Sequence, residues 1–369
     1  MEENHEGFFY PNVGNLCIGC GLCVEKCQSL SPVRIPDSKT LAYAVYLKDD
    51  SKLLQSSSGG AFSGLAETIL DFGGIVFGAA YSKDLEVEHI FAENAADLNK
   101  LKSSKYVESY IGDSYIKAEI FLKQGRKVLF AGTPCQIGGL KNYLGKDYDN
   151  LYTVDLICHG VPSRKLFRKY LEWLGTKMRD KIIYLGFRDK DVGGWTCGGK
   201  TKTKTKTKTK VIEGLSDPYY ATFLRGETYR ESCYSCQYAN TKRIGDITLG
   251  DFWGVENFFP EIDRKRGVSC ILVNTRKGEE LFKEALPLFH VKETSVENIC
   301  KENGNLNSPV VRPAVRSSIY GGIDSENVVS YFRQFKRHNP FLVKIWKTVS
   351  PLMSKNLKVT VKRILRASL

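Results

Sequence analysis

The sequence predicts a mixed-sheet α/β domain, preceded by a small cysteine-rich module and followed by a basic helical tail. Three observations carry that reading. Four cysteines crowd into residues 17–27, strand-like apolar runs alternate with helical stretches from about Leu41 onward, and no acidic residue follows Glu326. The 369 residues allow one large domain with appendages, because single cores stop growing near roughly 250–300 residues.

Residues 1–36 are rich in Cys and Gly and close on the turn-prone Ser31-Pro32 and Ile35-Pro36. That suits a metal-organised module and its linker. Across 40–310 the strand candidates are Ala42–Leu47, Ile75–Ala80, Lys127–Ala131, Leu151–Ile157, Ile182–Phe187, Ile247–Phe252 and Val268–Asn274. Helical stretches lie around 59–71, 114–124, 163–178 and 277–286, which is the alternation of an α/β domain. The Thr-Lys repeat within 200–210 has the period of a strand, with Thr on one face and Lys on the other. A long exposed hairpin arm is one reading; like charges along one face also fit a flexible or frayed segment. In the tail, 326–369, Leu342, Ile345, Trp346 and Val349 share one helical face, and Leu357, Val361, Ile364 and Leu365 another. With Lys and Arg between them, this is a basic amphipathic pattern that can lie on an anionic membrane surface, or dock on its own body or a partner.

Charge argues against nucleic acid. Six lysines in 200–210 and ten Lys or Arg after Glu326 exceed the net +13 by themselves, which leaves the rest of the chain near −3. A basic nucleic-acid face on the folded body is therefore not expected. The chain opens MEENHEGFFYPN, without the basic and apolar regions of an export signal, and no apolar run approaches the roughly 20 residues of a membrane span. A cytoplasmic protein is expected, held at the inner membrane face if the tail binds there. In that compartment eleven cysteines stay reduced and can hold metal.

Cys17, Cys20, Cys23 and Cys27 form a C-x2-C-x2-C-x3-C run, the bacterial ferredoxin spacing for a 4Fe-4S cluster. The short gaps let successive thiolates wrap one cubane, and Gly19 and Gly21 let the backbone approach it. Structural zinc usually takes two separated C-x2-C pairs. In two-cluster ferredoxins the fourth cysteine serves the other cluster, and no second run is present here. Cys17, Cys20 and Cys23 then lack an obvious fourth ligand, unless Cys27 bends back to supply it. Cys135 and Cys158 follow predicted strands, where α/β folds build sites, and Cys233 and Cys236 form a C-x2-C pair. A shared four-thiolate site is one reading. The other leaves Cys135 and Cys158 as small packing residues beside a redox or zinc pair. Cys197, Cys270 and Cys300 have no partners at ligand spacing and are expected to pack.

Six motifs then stand in order: SSSGGAF at 56–62, SKYV at 104–107, FAGTPCQ at 130–136, DLICHG at 155–160, SCYSC at 232–236 and DITLGDFWG at 246–254. Over about residues 8–300 the chain resembles the coenzyme F420 hydrogenase/dehydrogenase beta-subunit family, which also includes a chlorophyll-cycle reductase of plants. The resemblance implies a flavin-binding α/β domain with FAD, and a second 4Fe-4S cluster on Cys135, Cys158, Cys233 and Cys236. Ser57, Ser58, Gly59 and Gly60 precede a helix and can offer N–H groups to a pyrophosphate, though such turns also cap ordinary helices. Ser104 is a further cofactor-binding candidate, Lys105 adds a counter-charge, Tyr106 a stacking surface, and Gly132 and Thr133 can meet the isoalloxazine ring. His159 and Asp155 are candidates for proton delivery, the alternative being hydrogen-bonding support. Arg188 can shape the pocket, and Asp246, Asp251 and Trp253 are expected to hold strands together.

Many members of the family carry two ferredoxin runs, ended by a stretch like Glu6-Gly7-Phe8-Phe9-Tyr10-Pro11. The chain thus reads as starting inside that module: either one N-terminal cluster works alone, or the start lies upstream. The expected activity is a relay from a low-potential donor such as ferredoxin, through the clusters, to FAD and a small organic substrate. In bacteria the resemblance also connects such proteins with cell-surface polysaccharide synthesis. The competing expectations are a non-catalytic electron-transfer subunit, with oligomers allowed, and a zinc-stapled scaffold.

Overall fold

All seven predicted strands and all four predicted helices are present within about two residues in the computed structural model, which describes residues 1–33, 35, 39–195, 198–205, 209–335, 345, 348 and 349. The amphipathic faces proposed for the tail lie outside the described residues, apart from single positions such as Ile345 and Val349. Among the described residues no helix is long and apolar enough to cross a membrane.

The strands in chain order are β1 (Glu2–Glu3), β2 (Phe9–Tyr10), β3 (Leu41–Leu47), β4 (Ile75–Tyr81), β5 (Val87–Ala92), β6 (Val128–Gly132) and β7 (Leu151–Leu156). They continue with β8 (Ile182–Gly186), β9 (Gly198–Thr203), β10 (Thr209–Glu213), β11 (Ile247–Asp251), β12 (Ser269–Val273) and β13 (Phe289–Thr294). Eight of them form one mixed sheet in the order β13-β3-β12-β11-β7-β6-β4-β5. Its centre, β11-β7-β6-β4, is parallel, while β5, β12, β3 and β13 pair antiparallel. The four parallel strands consequently deliver their carboxyl ends to one edge, the place where open α/β sheets bind ligands.

Side-chain alternation builds a core on each face. Val76, Leu129, Val154, Ile247 and Ile271 point to the face covered by helices Ala61–Asp71 and Arg276–Ala285. Ile75, Phe77, Val128, Phe130 and Leu151 point to the other, against helices Ser114–Lys123 and Pro134–Leu144. Burial on both faces explains why these strands read as continuous apolar runs.

β8 departs from the simplest expectation. It joins not the large sheet but a three-stranded one, β10-β9-β8, and the Thr-Lys repeat supplies most of the β9–β10 hairpin. Thr201 and Thr203 are buried while Lys202 is exposed, so the first part of the repeat packs as a strand, whereas Lys204, Thr205, Thr209 and Lys210 are exposed. A third apolar cluster unites this sheet with helix Arg164–Met178, helix Pro218–Leu224, Phe8, and the helices Val315–Gly321 and Val328–Arg333. Phe332 and Phe335, within the span read as tail, belong to that core.

Candidate functional site

The end of β6 passes through Gly132 and Thr133 straight into helix Pro134–Leu144, with Pro at its first position. Gln136 closes the turn: its Oε1 accepts the Thr133 N–H at 2.9 Å, and its Nε2 donates to Ser109 Oγ at 2.8 Å. Ser109 Oγ lies 3.0 Å from His89 Nδ1, and His89 Nε2 lies 3.1 Å from the Ala131 carbonyl. A carbonyl only accepts, so Nε2 carries the proton and Nδ1 accepts from Ser109. Burial pushes the His89 imidazole down to about 4, which keeps it neutral. This support beneath the Cys135 turn is hidden in the sequence, because His89 sits on β5, a strand whose mixed polar and apolar residues give no clear signal.

β7 is followed by Ile157, Cys158, His159 and Gly160. Gly160 has φ +135°, and a Cβ there would stand 2.4 Å from the Tyr229 ring, so only glycine makes this turn. The next residue anchors the fourth cysteine segment: Arg230 N donates to Val161 O at 2.9 Å, and Cys233 N to Arg230 O at 2.9 Å. Cys158 therefore shares one electrostatic neighbourhood with Cys135, Cys233 and Cys236. Burial raises the thiols of Cys135, Cys158 and Cys233, the last to about 12, and the neighbouring cysteines add to each rise. All four are free thiols.

Among the described residues no three His, Cys, Asp or Glu side chains close on a single-ion site. The ligands of a four-iron cubane stand at the corners of a larger body than a single ion, and four free thiols converging from three segments are the donor type it takes. Binding would also remove the protons that burial favours on Cys135, Cys158 and Cys233.

Cys135 and His159 are open to solvent, yet desolvation is the first cause of the rise in the Cys135 thiol and of the fall in the His159 imidazole. A side chain that is accessible and crowded at once lines a cleft. Asp251, at the end of β11, is the charge that opposes the fall at His159. Its Oδ2 pairs with Arg188 at 2.9 Å and its Oδ1 accepts from Trp195 Nε1 at 3.0 Å. Arg188 also donates to Ser57 O at 3.1 Å and lies over the Trp253 ring, which itself stacks on Trp195.

The Ser57–Gly60 turn reaches the same edge by packing on β3 and β12. A Cβ on Gly59 would stand 2.2 Å from Val45 O, and Gly60, at φ +81°, begins helix Ala61–Asp71 with no side-chain cap. Ser104 N donates to Ser57 Oγ at 3.1 Å, Ser58 Oγ to Val268 O at 3.0 Å, and Lys190 Nζ to Ser58 O at 2.6 Å. An uncapped, buried helix start with Arg188 and Lys190 close by fits an anion such as a pyrophosphate. Burial lowers Lys190 to about 8.

Two expectations need correction. Lys105, read as the counter-charge, directs its ammonium at the carbonyls of Lys100, Leu101 and Lys102, and so closes the carboxyl end of helix Ala95–Leu101. Burial brings it to about 7. Asp155, read as a proton carrier, is fully buried; Arg243 pairs with one oxygen at 2.8 Å and Gly245 N–H with the other at 2.9 Å. It fastens the chain before β11 and faces no cleft. Asp246 likewise holds strands, accepting from Thr153 N and Oγ1 and from Thr275 Oγ1. The Tyr106 ring already stacks on Phe223 at 4.2 Å, which occupies one of its faces.

The N-terminal run contains one helical turn, Leu22–Glu25, flanked by Gly19 and Gly21 at φ +70° and +74°. Cys17, Cys20 and Cys23 are exposed, whereas Cys27 is half-buried. Tyr238 Oη donates to Gln28 Oε1 at 2.8 Å, Gln237 Nε2 to Gln28 O at 2.8 Å, and Asn142 Nδ2 to Ser31 O at 2.7 Å. Cys27, Cys135 and Cys236 consequently all bear on the Tyr238 phenol. Cys270 is buried in the core and Cys300 is half-buried; Cys197 lies outside the described residues.

Residues 125–298 match the family model for the C-terminal part of the coenzyme F420 hydrogenase/dehydrogenase beta subunit, and include Cys135, Cys158, Cys233 and Cys236. No curated protein matches the sequence. The fold is similar to a chain of the F420-reducing NiFe hydrogenase complex from Methanosarcina barkeri, solved as a xenon derivative. The two share 17% identity at a TM-score of 0.50, over 76% of this chain and 91% of that one.

Proposed function

We propose, on the premise that the chain belongs to the coenzyme F420 hydrogenase/dehydrogenase beta-subunit family, that it is an iron–sulfur flavoprotein oxidoreductase supplied by a low-potential donor such as ferredoxin. The observation that supports this is that Cys135, Cys233 and Cys236, from separate segments, all bear on the Cys158 thiol, and that burial raises Cys135, Cys158 and Cys233. When bound, 4Fe-4S clusters carry single electrons and FAD pairs them for two-electron reduction of a small organic substrate.

The chain's own residues divide the work. The four cleft cysteines would hold one cluster, and Cys17, Cys20, Cys23 and Cys27 the other; hydrogen bonds from Tyr238 and Gln237 to Gln28 keep the two sets adjacent. The uncapped start of helix Ala61–Asp71, with Ser57, Ser58, Gly59 and Gly60, would take the FAD pyrophosphate, and Arg188 and Lys190 supply the positive charge there. Gly132 and Thr133, fixed by Gln136, border the cleft beside Cys135. His159, open to solvent and held neutral by its surroundings, is the group able to pass a proton into the cleft.

A second reading, a subunit that passes electrons to a catalytic partner, is favoured by the exposed apolar Leu16, Ile18, Leu22 and Val24 around the N-terminal cysteines. Turnover of a small substrate by the isolated chain separates the two. The first test is the visible spectrum of anaerobically purified protein with its iron, sulfide and flavin content. The proposal expects about eight irons and one FAD per chain. Zinc without flavin overturns it.

A further inference from the structure

Arg230 stands where three parts of the chain meet. Its backbone joins Val161, just past Cys158, to the turn that carries Cys233. Its guanidinium donates to Glu108 Oε1 at 2.7 Å and to the Phe9 carbonyl at 2.8 Å, and lies over the rings of Tyr10 at 4.2 Å and Phe8 at 5.7 Å. These contacts hold it largely out of solvent, with 20% of the side chain exposed and 16% of its partner's. Of this pair it is the cation that bears on the sulfurs of Cys135 and Cys233.

We propose that Arg230 raises the reduction potential of the site formed by Cys135, Cys158, Cys233 and Cys236, and that Glu108 fixes this charge in place and partly offsets it. The inference rests on the iron–sulfur reading above. One electron entering the site adds one negative charge and makes or breaks no bond. A fixed cation beside the sulfurs in a desolvated setting therefore favours the reduced state, and a carboxylate opposes it. Because the same guanidinium grips the backbone at Phe9, the segment leading to Cys17 and the potential of the cleft site depend on one side chain.

The test is a dithionite titration at pH 8, well above the ordinary carboxylate range, of the anaerobically purified full chain followed by electron paramagnetic resonance. Cys236→Ser identifies which signal belongs to the cleft. Arg230→Gln should shift the reduction equilibrium of that signal three- to tenfold toward the oxidised state, tenfold being 59 mV for one electron. Glu108→Gln should shift it the opposite way, and Arg230→Lys should stay near wild type, all with wild-type iron content. Opposite shifts from two partners of one ion pair do not arise from general loosening of the fold. Unchanged potentials in Arg230→Gln and Glu108→Gln at full iron overturn the inference and leave the iron–sulfur reading standing. Should Arg230→Gln fail to fold, an unchanged potential in Glu108→Gln overturns it alone. Wild-type protein without iron removes both.

Discussion

Arg188 and Asp251 form a buried ion pair at 2.9 Å that fastens the carboxyl end of β11 to the Ser57–Gly60 turn. Only 6% of the Arg188 side chain is exposed, so its charge depends on Asp251 and on the Ser57 carbonyl. Arg188→Met should cost about 3–5 kcal/mol, because it strands the carboxylate with Trp195 as its remaining donor. Adding Asp251→Leu should recover most of that stability, since the uncompensated charge is then gone. Flavin content should stay below wild type in both, as each leaves Lys190 without the Arg188 charge beside the turn. Urea denaturation with flavin assay reads both effects, and wild-type flavin in the double variant would refute the placement of the pyrophosphate.

The two cysteine sets should lose metal independently. Cys158→Ser or Cys236→Ser should lower iron by about four per chain and leave the N-terminal signal, whereas Cys300→Ser should change neither. Cys158 carries the sharper expectation, because all three other cleft cysteines bear on it or on its neighbours. Iron analysis of each purified variant decides, and a full complement in Cys158→Ser contradicts the cleft site.

The parallel centre of the sheet was legible because β4, β6, β7 and β11 are mostly buried, and their apolar runs are continuous in β4 and β6 and broken only by Thr153, Asp155, Thr248 and the terminal Asp251 in β7 and β11. The edges β5 and β13 were not, because they carry Glu88 and His89, or Lys292, Glu293 and Thr294, among their apolar residues. Placing Cys135 and Cys158 after strands left a shared cysteine site open beside ordinary packing, and only the family resemblance joined them to Cys233 and Cys236. The roles of Lys105 and Asp155 were not legible, because the same residue type serves a helix end or a buried pair as readily as a ligand. Only their partners, the helix carbonyls and Arg243, distinguish these uses.

Acid should act on the fold through two buried groups of opposite sign. His89, lowered from 6.5 to about 4, is neutral in the folded chain and takes its proton more readily when unfolded. Its contribution is full above pH 6.5 and is lost as pH falls toward 4. Asp217, raised from 3.8 to about 6, takes a proton sooner when folded, so acidification from pH 6 to 3.8 stabilises. Each is worth about 3 kcal/mol over its window, and in the wild-type chain they offset one another. Asp217→Asn should unmask His89 and lose about 2 kcal/mol more than wild type between pH 7 and 4.5. His89→Asn should lose less than wild type over the same interval. Denaturant titrations at the two pH values measure both, and equal pH dependence in all three proteins would sink the assignment.

The Thr-Lys repeat raises a question of register, since a ladder of identical two-residue units can slip by two without changing faces, and a slip by one would turn lysines inward. Its flanks fix the alignment. Gly199 lies so close to β8 that a Cβ would meet Gly186 O at 2.0 Å, and Ile212, opposite Gly199, is buried. Inside that frame Thr201 donates to Tyr184 O at 2.9 Å, while Lys202 lies over the Tyr184 ring at 5.3 Å on the solvent side. Thr201→Lys should therefore bury an unpaired ammonium and cost more than about 3 kcal/mol, or prevent folding. Lys202→Thr, one residue along, should stay within about 0.5 kcal/mol of wild type. Gly199→Ala should destabilise as well, because the β8 backbone cannot withdraw without opening the ladder. If thermal denaturation finds Thr201→Lys as mild as Lys202→Thr, the hairpin does not hold its threonines inward, and the repeat is the loose segment its composition alone would allow.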